Sequence, residues 1–197
     1  MKTWKDIRTQ ALNLGFEKTK TYEKNRQSYI DAYNWAQGLI AATIGGVLGK
    51  IGIGCDGNHR HIFDLHQLAQ AKGWEFIAMA QSGVMDTKNN TVSGWTLTDN
   101  RYLTMPPHYK GYAVVNVLVM PAPLTASHSD DTLCPLPAKW VNLLPYLMAN
   151  RLYLDDDAAK AGYYWNLYTD MRDEMLKKEN APHIAVNGGA DIDRWCI

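Results

Sequence analysis

Net charge is missing from this sequence: twenty Lys and Arg balance twenty Asp and Glu over 197 residues. That removes the broad basic footprint of a protein that binds nucleic acid mainly through phosphates. Phenylalanine is scarce, three against eleven Tyr and seven Trp. Most of the aromatic surface therefore carries a polar atom, which suits interfaces buried on one edge and wet on the other. The three cysteines, Cys55, Cys134 and Cys196, lie far apart, so no close pair makes a zinc knuckle or a redox motif, and a reducing compartment is expected. Long apolar runs are absent as well. One long uncharged stretch, Ala32 to Gly49, is broken by Asn34, Gln37 and glycines, too polar to span a bilayer. The opening Met1-Lys2-Thr3-Trp4-Lys5-Asp6 has no apolar signal-peptide core. A soluble protein made and used inside a cell, with no membrane partner, is the expectation.

Catalytic signatures are missing too. There is no HExxH motif, no nucleophile elbow and no phosphate-binding glycine loop, since Gly52-Ile53-Gly54 continues into Cys55-Asp56-Gly57 rather than into a helix. No enzyme and no cofactor is expected. What remains is an ordinary globular composition, 46% hydrophobic and 20% charged, at a length that fits one domain or one domain with an insertion. Charge is unevenly spread: residues 1–35 hold seven basic and four acidic side chains, residues 151–197 six and nine, so the ends carry +3 and −3. Such polarity favours head-to-tail contact between copies, which closes into a ring.

The local patterns predict an α+β fold. Thr3 caps a helix that runs to about Leu14, with Asp6 as a short capping-box acid and Gly15 as the stop. A second helix from about Asn25 to Ile44 carries Tyr29, Tyr33, Ala36, Ile40 and Ile44 on one face, and Gly45-Gly46 ends it. Helical spacing then gives way to short β-prone runs: Lys50 to Ile53, His61 to Leu65, Glu75 to Ala80, Gly94 to Thr98, Arg101 to Met105 and Tyr112 to Met120. Asp99-Asn100 reads as the turn of a hairpin. A third helix, Ala138 to Leu154, is apolar on nearly every side and belongs at the centre, with Pro145 as a kink or effective start. In a fourth, Ala161, Tyr164, Tyr168, Met171 and Met175 share a face. Trp140, Tyr164 and Tyr168 read as core filling. The division is thus residues 1–46 as N-terminal helices of a bundle, 47–135 as an inserted β-rich domain, 136–179 as C-terminal helices of the bundle, and 180–197 as an extended arm.

Two clusters bear on metals. Asp155-Asp156-Asp157 clusters carboxylates as a calcium or magnesium site would, but it stands where a helix begins, so Asp155 and Asp156 are read as caps. His59, His61, Asp64 and His66 are ligand types, yet strand alternation puts His59 and His61 on one face and His66 off it, a poor geometry for three-point coordination. A polar surface strand is expected there. In the arm, Ile184, Ile192 and Trp195 have no core of their own and are the candidate partner-binding residues.

The stretches Trp140-Val141-Asn142-Leu143-Leu144-Pro145-Tyr146-Leu147-Met148-Ala149, Arg151-Leu152-Tyr153-Leu154-Asp155-Asp156-Asp157 and Lys160-Ala161-Gly162-Tyr163-Tyr164-Trp165-Asn166 resemble the C-terminal helical pair of phage neck proteins. Thr3-Trp4-Lys5-Asp6-Ile7-Arg8 through Leu12-Asn13-Leu14-Gly15-Phe16 resembles their first helix. The group meant is the head-to-tail connector and tail adaptor (tail tubular) proteins of tailed bacteriophages, and the resemblance covers both helical ends, roughly half the chain. It implies a virion protein in the neck, assembled in the host cytoplasm, that forms a homo-oligomeric ring, often of twelve copies. Such a ring joins the portal protein to a downstream tail protein and continues the channel through which DNA passes. Another virion part, a head-completion or tail-terminator protein, is the near alternative. A metal-dependent hydrolase using His59, His61, Asp64 or the triple aspartate is the distant one.

Overall fold

The computed structural model describes residues 2–14, 22 and 24–180. Gly15 and the arm residues Ile184, Ile192 and Trp195 lie outside them. Helix α1 spans Trp4–Asn13 behind the expected capping box: the Asp6 amide donates to Thr3 Oγ1 at 3.2 Å, and the Thr3 amide to Asp6 Oδ2 at 2.9 Å. Helix α2 spans Arg26–Thr43 with Tyr29, Tyr33, Ala36 and Ile40 buried. It stops at Gly45 and Gly46, whose φ angles of 73° and 107° suit glycine.

Strand β1 (Val47–Asp56) is longer than expected and alternates perfectly, with Val47, Gly49, Ile51, Ile53 and Cys55 inward. After β2 (Ile62–Asp64) comes helix α3 (Leu65–Gln70), which the sequence reading assigned in part to a strand. Asp64 starts this helix by accepting from the Gln67 amide at 3.2 Å, a side-chain cap that ends the strand. Strand β3 runs Glu75–Asp86, β4 Thr96–Thr98, β5 Tyr102–Thr104 and β6 Lys110–Met120. Asp99 and Asn100, at φ 55° and 48°, form the expected hairpin turn between β4 and β5. One antiparallel sheet has the order β1-β6-β3 and the other β2-β5-β4.

The expected third helix is two: α4 (Ala138–Val141) and α5 (Leu144–Tyr153), with Pro145 in the first turn of α5. Proline has no N–H to return to the carbonyl four residues back, so the chain tightens at Leu143, whose amide donates to the Trp140 carbonyl at 3.0 Å, and restarts. Helix α6 spans Ala158–Asn180. Helices α1, α2 and α6 all pack against α5, whose Leu144, Leu147 and Met148 have no exposed surface. Trp140 and Tyr168 fill the core as expected, while Tyr164 is half-buried and donates its hydroxyl proton to the Leu14 carbonyl. The buried side chains of helices and sheets form one continuous cluster. The protein is a mixed α/β fold with two small antiparallel sheets.

Candidate functional site

The turn after β1 gathers the histidines, by a different logic from strand alternation. Asp56 Oδ1 accepts from the Asn58 and His59 amides at 2.8 and 3.2 Å, bending the chain back on itself. The same carboxylate then meets both rings, Oδ2 at 3.1 Å from His59 Nδ1 and Oδ1 at 2.9 Å from His61 Nε2. The backbone bond from Asn58, followed by the contacts with His61 and His59, holds the Asp56 carboxyl well below the usual carboxylate range. Gly57 makes the turn possible, with φ at 77° and space so tight that a Cβ would lie 2.8 Å from Lys110 Cβ. Gly57→Ala is expected to cost about 1–2 kcal/mol through the left-handed backbone alone, read as a lowered urea midpoint with unchanged slope.

The other two members of the sequence-level cluster point elsewhere. Asp64 Oδ2 accepts from Arg101 Nε and Nη2 at 3.0 and 2.6 Å, and Arg101 holds its carboxyl below the ordinary range. His66 lies against the Phe76 ring at 4.8 Å between centroids. His59 and His61 were expected on a strand face, but β2 begins only at Ile62, because Asp56 pulls the preceding residues into a turn. Among the described residues, no group of three or more His, Cys, Asp and Glu is placed to hold a metal ion. Asp56 itself was not among the candidates; the Asp56-Gly57 turn dipeptide is the signal that could have found it.

The cap of α6 also falls one residue further on than expected. Asp155 and Asp156 sit in the turn that closes α5, where Tyr153 O accepts from the Asp156 and Asp157 amides at 3.1 and 2.8 Å. Asp157 is the cap: its Oδ1 accepts from the Lys160 amide at 3.0 Å, and that bond lowers its carboxyl. Where α5 unwinds decides which of three identical residues faces the free amides of the next helix.

The described free cysteines are poor nucleophiles. Cys55 and Cys134 are both buried, and burial pushes both thiols up, away from the reactive thiolate.

A forked long-range ion pair joins the first helix to the segment after β6. Arg8 forks onto Asp130 at 2.7 and 3.1 Å and stacks 4.1 Å over the Tyr22 ring. Beside it the chain start pairs with residues 130–134: Trp4 N donates to Thr132 O at 2.8 Å, Lys5 N to Asp130 O at 3.0 Å, and Cys134 N to Lys2 O at 3.1 Å. Asn34 exchanges two bonds with Leu124, at 2.9 and 2.7 Å, fixing the same segment to α2. Near the other end of α1, the Tyr164 hydroxyl of α6 donates to the carbonyl of Leu14, the residue that closes α1. Tyr163, Trp165 and Leu154 stay exposed around the start of α6. No helix among the described residues is long and apolar enough to cross a membrane.

Asp56 sets a pH dependence with a definite sign. Its folded pKa lies below the unfolded value of about 3.9, so its contribution to stability is complete above that value and fades as pH falls through the acid range. Asp56→Asn is expected to flatten the loss of melting temperature below about pH 4; a melting profile as steep as that of the parent chain would contradict the assignment. No family model and no curated protein matches the chain.

Proposed function

We propose that the chain is a structural protein of a phage neck: an adaptor that forms a homo-oligomeric ring, joins the portal protein to the tail and continues the DNA channel. The observation that carries this reading is the gathering of both chain ends on α5. Helices α1 and α2 from the start and α6 from the end pack against it, while the described strands lie between residues 47 and 120. The neck-protein resemblance implies a bundle built from the two ends with a β-rich insertion, and this packing supports that reading.

The polar sites support a role in assembly over one in chemistry. Asp56, Asp64 and Asp157 all accept hydrogen bonds that shape the chain, from turn amides, from Arg101 and from a helix start. The exposed Tyr163 and Trp165 offer area for contact at little cost in side-chain freedom. In this reading the arm reaches a neighbouring protein through Ile184, Ile192 and Trp195.

The test is made on purified particles of the phage that encodes the chain. Mass spectrometry is expected to find it as a virion component, and cryo-electron microscopy without imposed symmetry to place it as a ring between portal and tail. A chain located elsewhere in the particle would make it a head-completion or tail-terminator protein. Absence from particles would remove the virion reading altogether.

A further inference from the structure

Strand β1 is an edge strand, with β6 along one side and no described strand along the other. Proteins normally blunt such edges, because an open row of N–H and C=O groups recruits another strand. The far edge of the same sheet is blunted in several ways. Strand β3 shifts register between Phe76 and Ala78 and again between Met79 and Val84. The Asn100 side chain donates to the Ile77 carbonyl at 2.8 Å, and the Val92 amide to the Val84 carbonyl at 2.9 Å. Among the described residues the β1 edge has one such bond, at its very end, where the Asp56 amide donates to His61 Nε2 at 3.2 Å. It runs in unbroken register from Val47 opposite Val119 to Asp56 opposite Lys110, holds no proline, and turns Leu48, Lys50, Gly52 and Gly54 outward.

We propose that β1 pairs with β1 of a second copy, antiparallel about a two-fold axis through Ile53, so that two three-stranded sheets become one of six strands. Three features select this occupant and register. A sheet that keeps its apolar face on one side must pair odd residues with odd and even with even. Centring on Ile53 satisfies this and sets Lys50 opposite Asp56 of the second copy, and Asp56 opposite its Lys50. Centring on Gly52 would instead put Asp56 opposite Leu48, and centring on Gly54 would put Lys50 opposite Asn58. Between the two charge pairs, Gly52 faces Gly54 of the second copy. Asp56 remains available to a lysine, since its side chain is 46% exposed while it holds both imidazoles. The contact is isologous and closes at two copies. It is therefore distinct from a cyclic ring contact and does not rest on the neck reading.

Sedimentation equilibrium of the full chain is expected to resolve a monomer–dimer equilibrium. Lys50→Glu places an acid opposite Asp56 at both ends of the pairing and is expected to raise the dimer dissociation constant about tenfold or more. Lys50 is exposed, so circular dichroism and melting of the monomer should not change. A second measurement reads the register. Gly52→Cys and Gly54→Cys chains are mixed and oxidised; a Cβ at Gly52 meets nothing within 4 Å, and one at Gly54 meets only the Tyr112 ring at 3.5 Å, so both should fold. Directly opposed residues stand about 4.5–5.5 Å apart between Cα atoms, within disulfide reach. Peptide mass spectrometry should find the bridge from 52 to 54 between copies. A chain that stays monomeric at every concentration, a dimer indifferent to Lys50→Glu, or the lack of a 52-to-54 bridge would overturn the pairing.

Discussion

Trp4→Ala is expected to lower the free energy of unfolding by about 3–5 kcal/mol, through lost transfer energy and the cavity left behind. Trp4 opens α1 and is 2% exposed. Its indole meets the Tyr33 ring of α2 edge-on, with centroids 5.1 Å apart, and Arg8 lies 5.8 Å from its centroid on the way to Asp130. The side chain thus fills the junction of the first helix, the second helix and the 130–134 segment. Small domains have only about 5–15 kcal/mol in total, so one substitution removes a large share of the stability. Calorimetry should show the midpoint falling by about 10 °C. A shift of only a degree or two would mean that α1 is held by its backbone pairing and the Arg8 fork alone.

Deleting residues 181–197 is expected to have the opposite signature, an unchanged fold with assembly lost. A chain ending at Asn180 keeps every contact described above, so its melting temperature should match that of the full chain. If Ile184, Ile192 and Trp195 dock on a neighbouring protein, their loss removes the aromatic and aliphatic anchors that dominate such contacts. If the proposed neck function holds, then in a phage lacking its own copy the shortened chain should restore infectious titre at least about tenfold less well than the full chain. Equal titres would take the arm out of the docking role and leave the exposed surface near α6 as the place to look.

Much of the fold can be read from residues close in sequence. The Thr3 and Asp6 capping box, the Gly45-Gly46 stop and the Asp99-Asn100 turn are local decisions, each made within a few residues by hydrogen bonding or by the sign of φ. The central place of α5 followed from apolar residues on nearly every side. Helix α3 was hidden because six residues carry little periodic signal, although Asp64-Leu65-His66-Gln67 has the spacing of a capping box. The β3 strand continues through Gln81, Ser82 and Gly83, where polarity argued for an end; bulges there let the chain stay in the sheet, and Asn116 Nδ2 donates to the Gly83 carbonyl at 3.3 Å. Which strands neighbour one another could not be read at all, since β1 finds β6 across more than fifty residues. The candidate site divides the same way. His59 and His61 were visible as ligand types, but the residue that organises them is Asp56, and its role follows from a turn rather than from a spacing rule.

The pairing of the chain start with residues 130–134 sets the order of events during synthesis. The Trp4 and Lys5 amides and the Lys2 carbonyl pair with Thr132, Asp130 and Cys134, and α1 packs on α5, which begins at Leu144. A ribosome moving at about 5–20 residues per second therefore leaves the first helix for several seconds without residues 130–134 and α5, with only Tyr22 and α2 to meet it. At about ten residues this helix is too short to hold itself together in water. Its apolar face, Trp4, Ile7 and Ala11, is then open to a holdase on the nascent chain, and residues 130–134 together with α5 are what would release it.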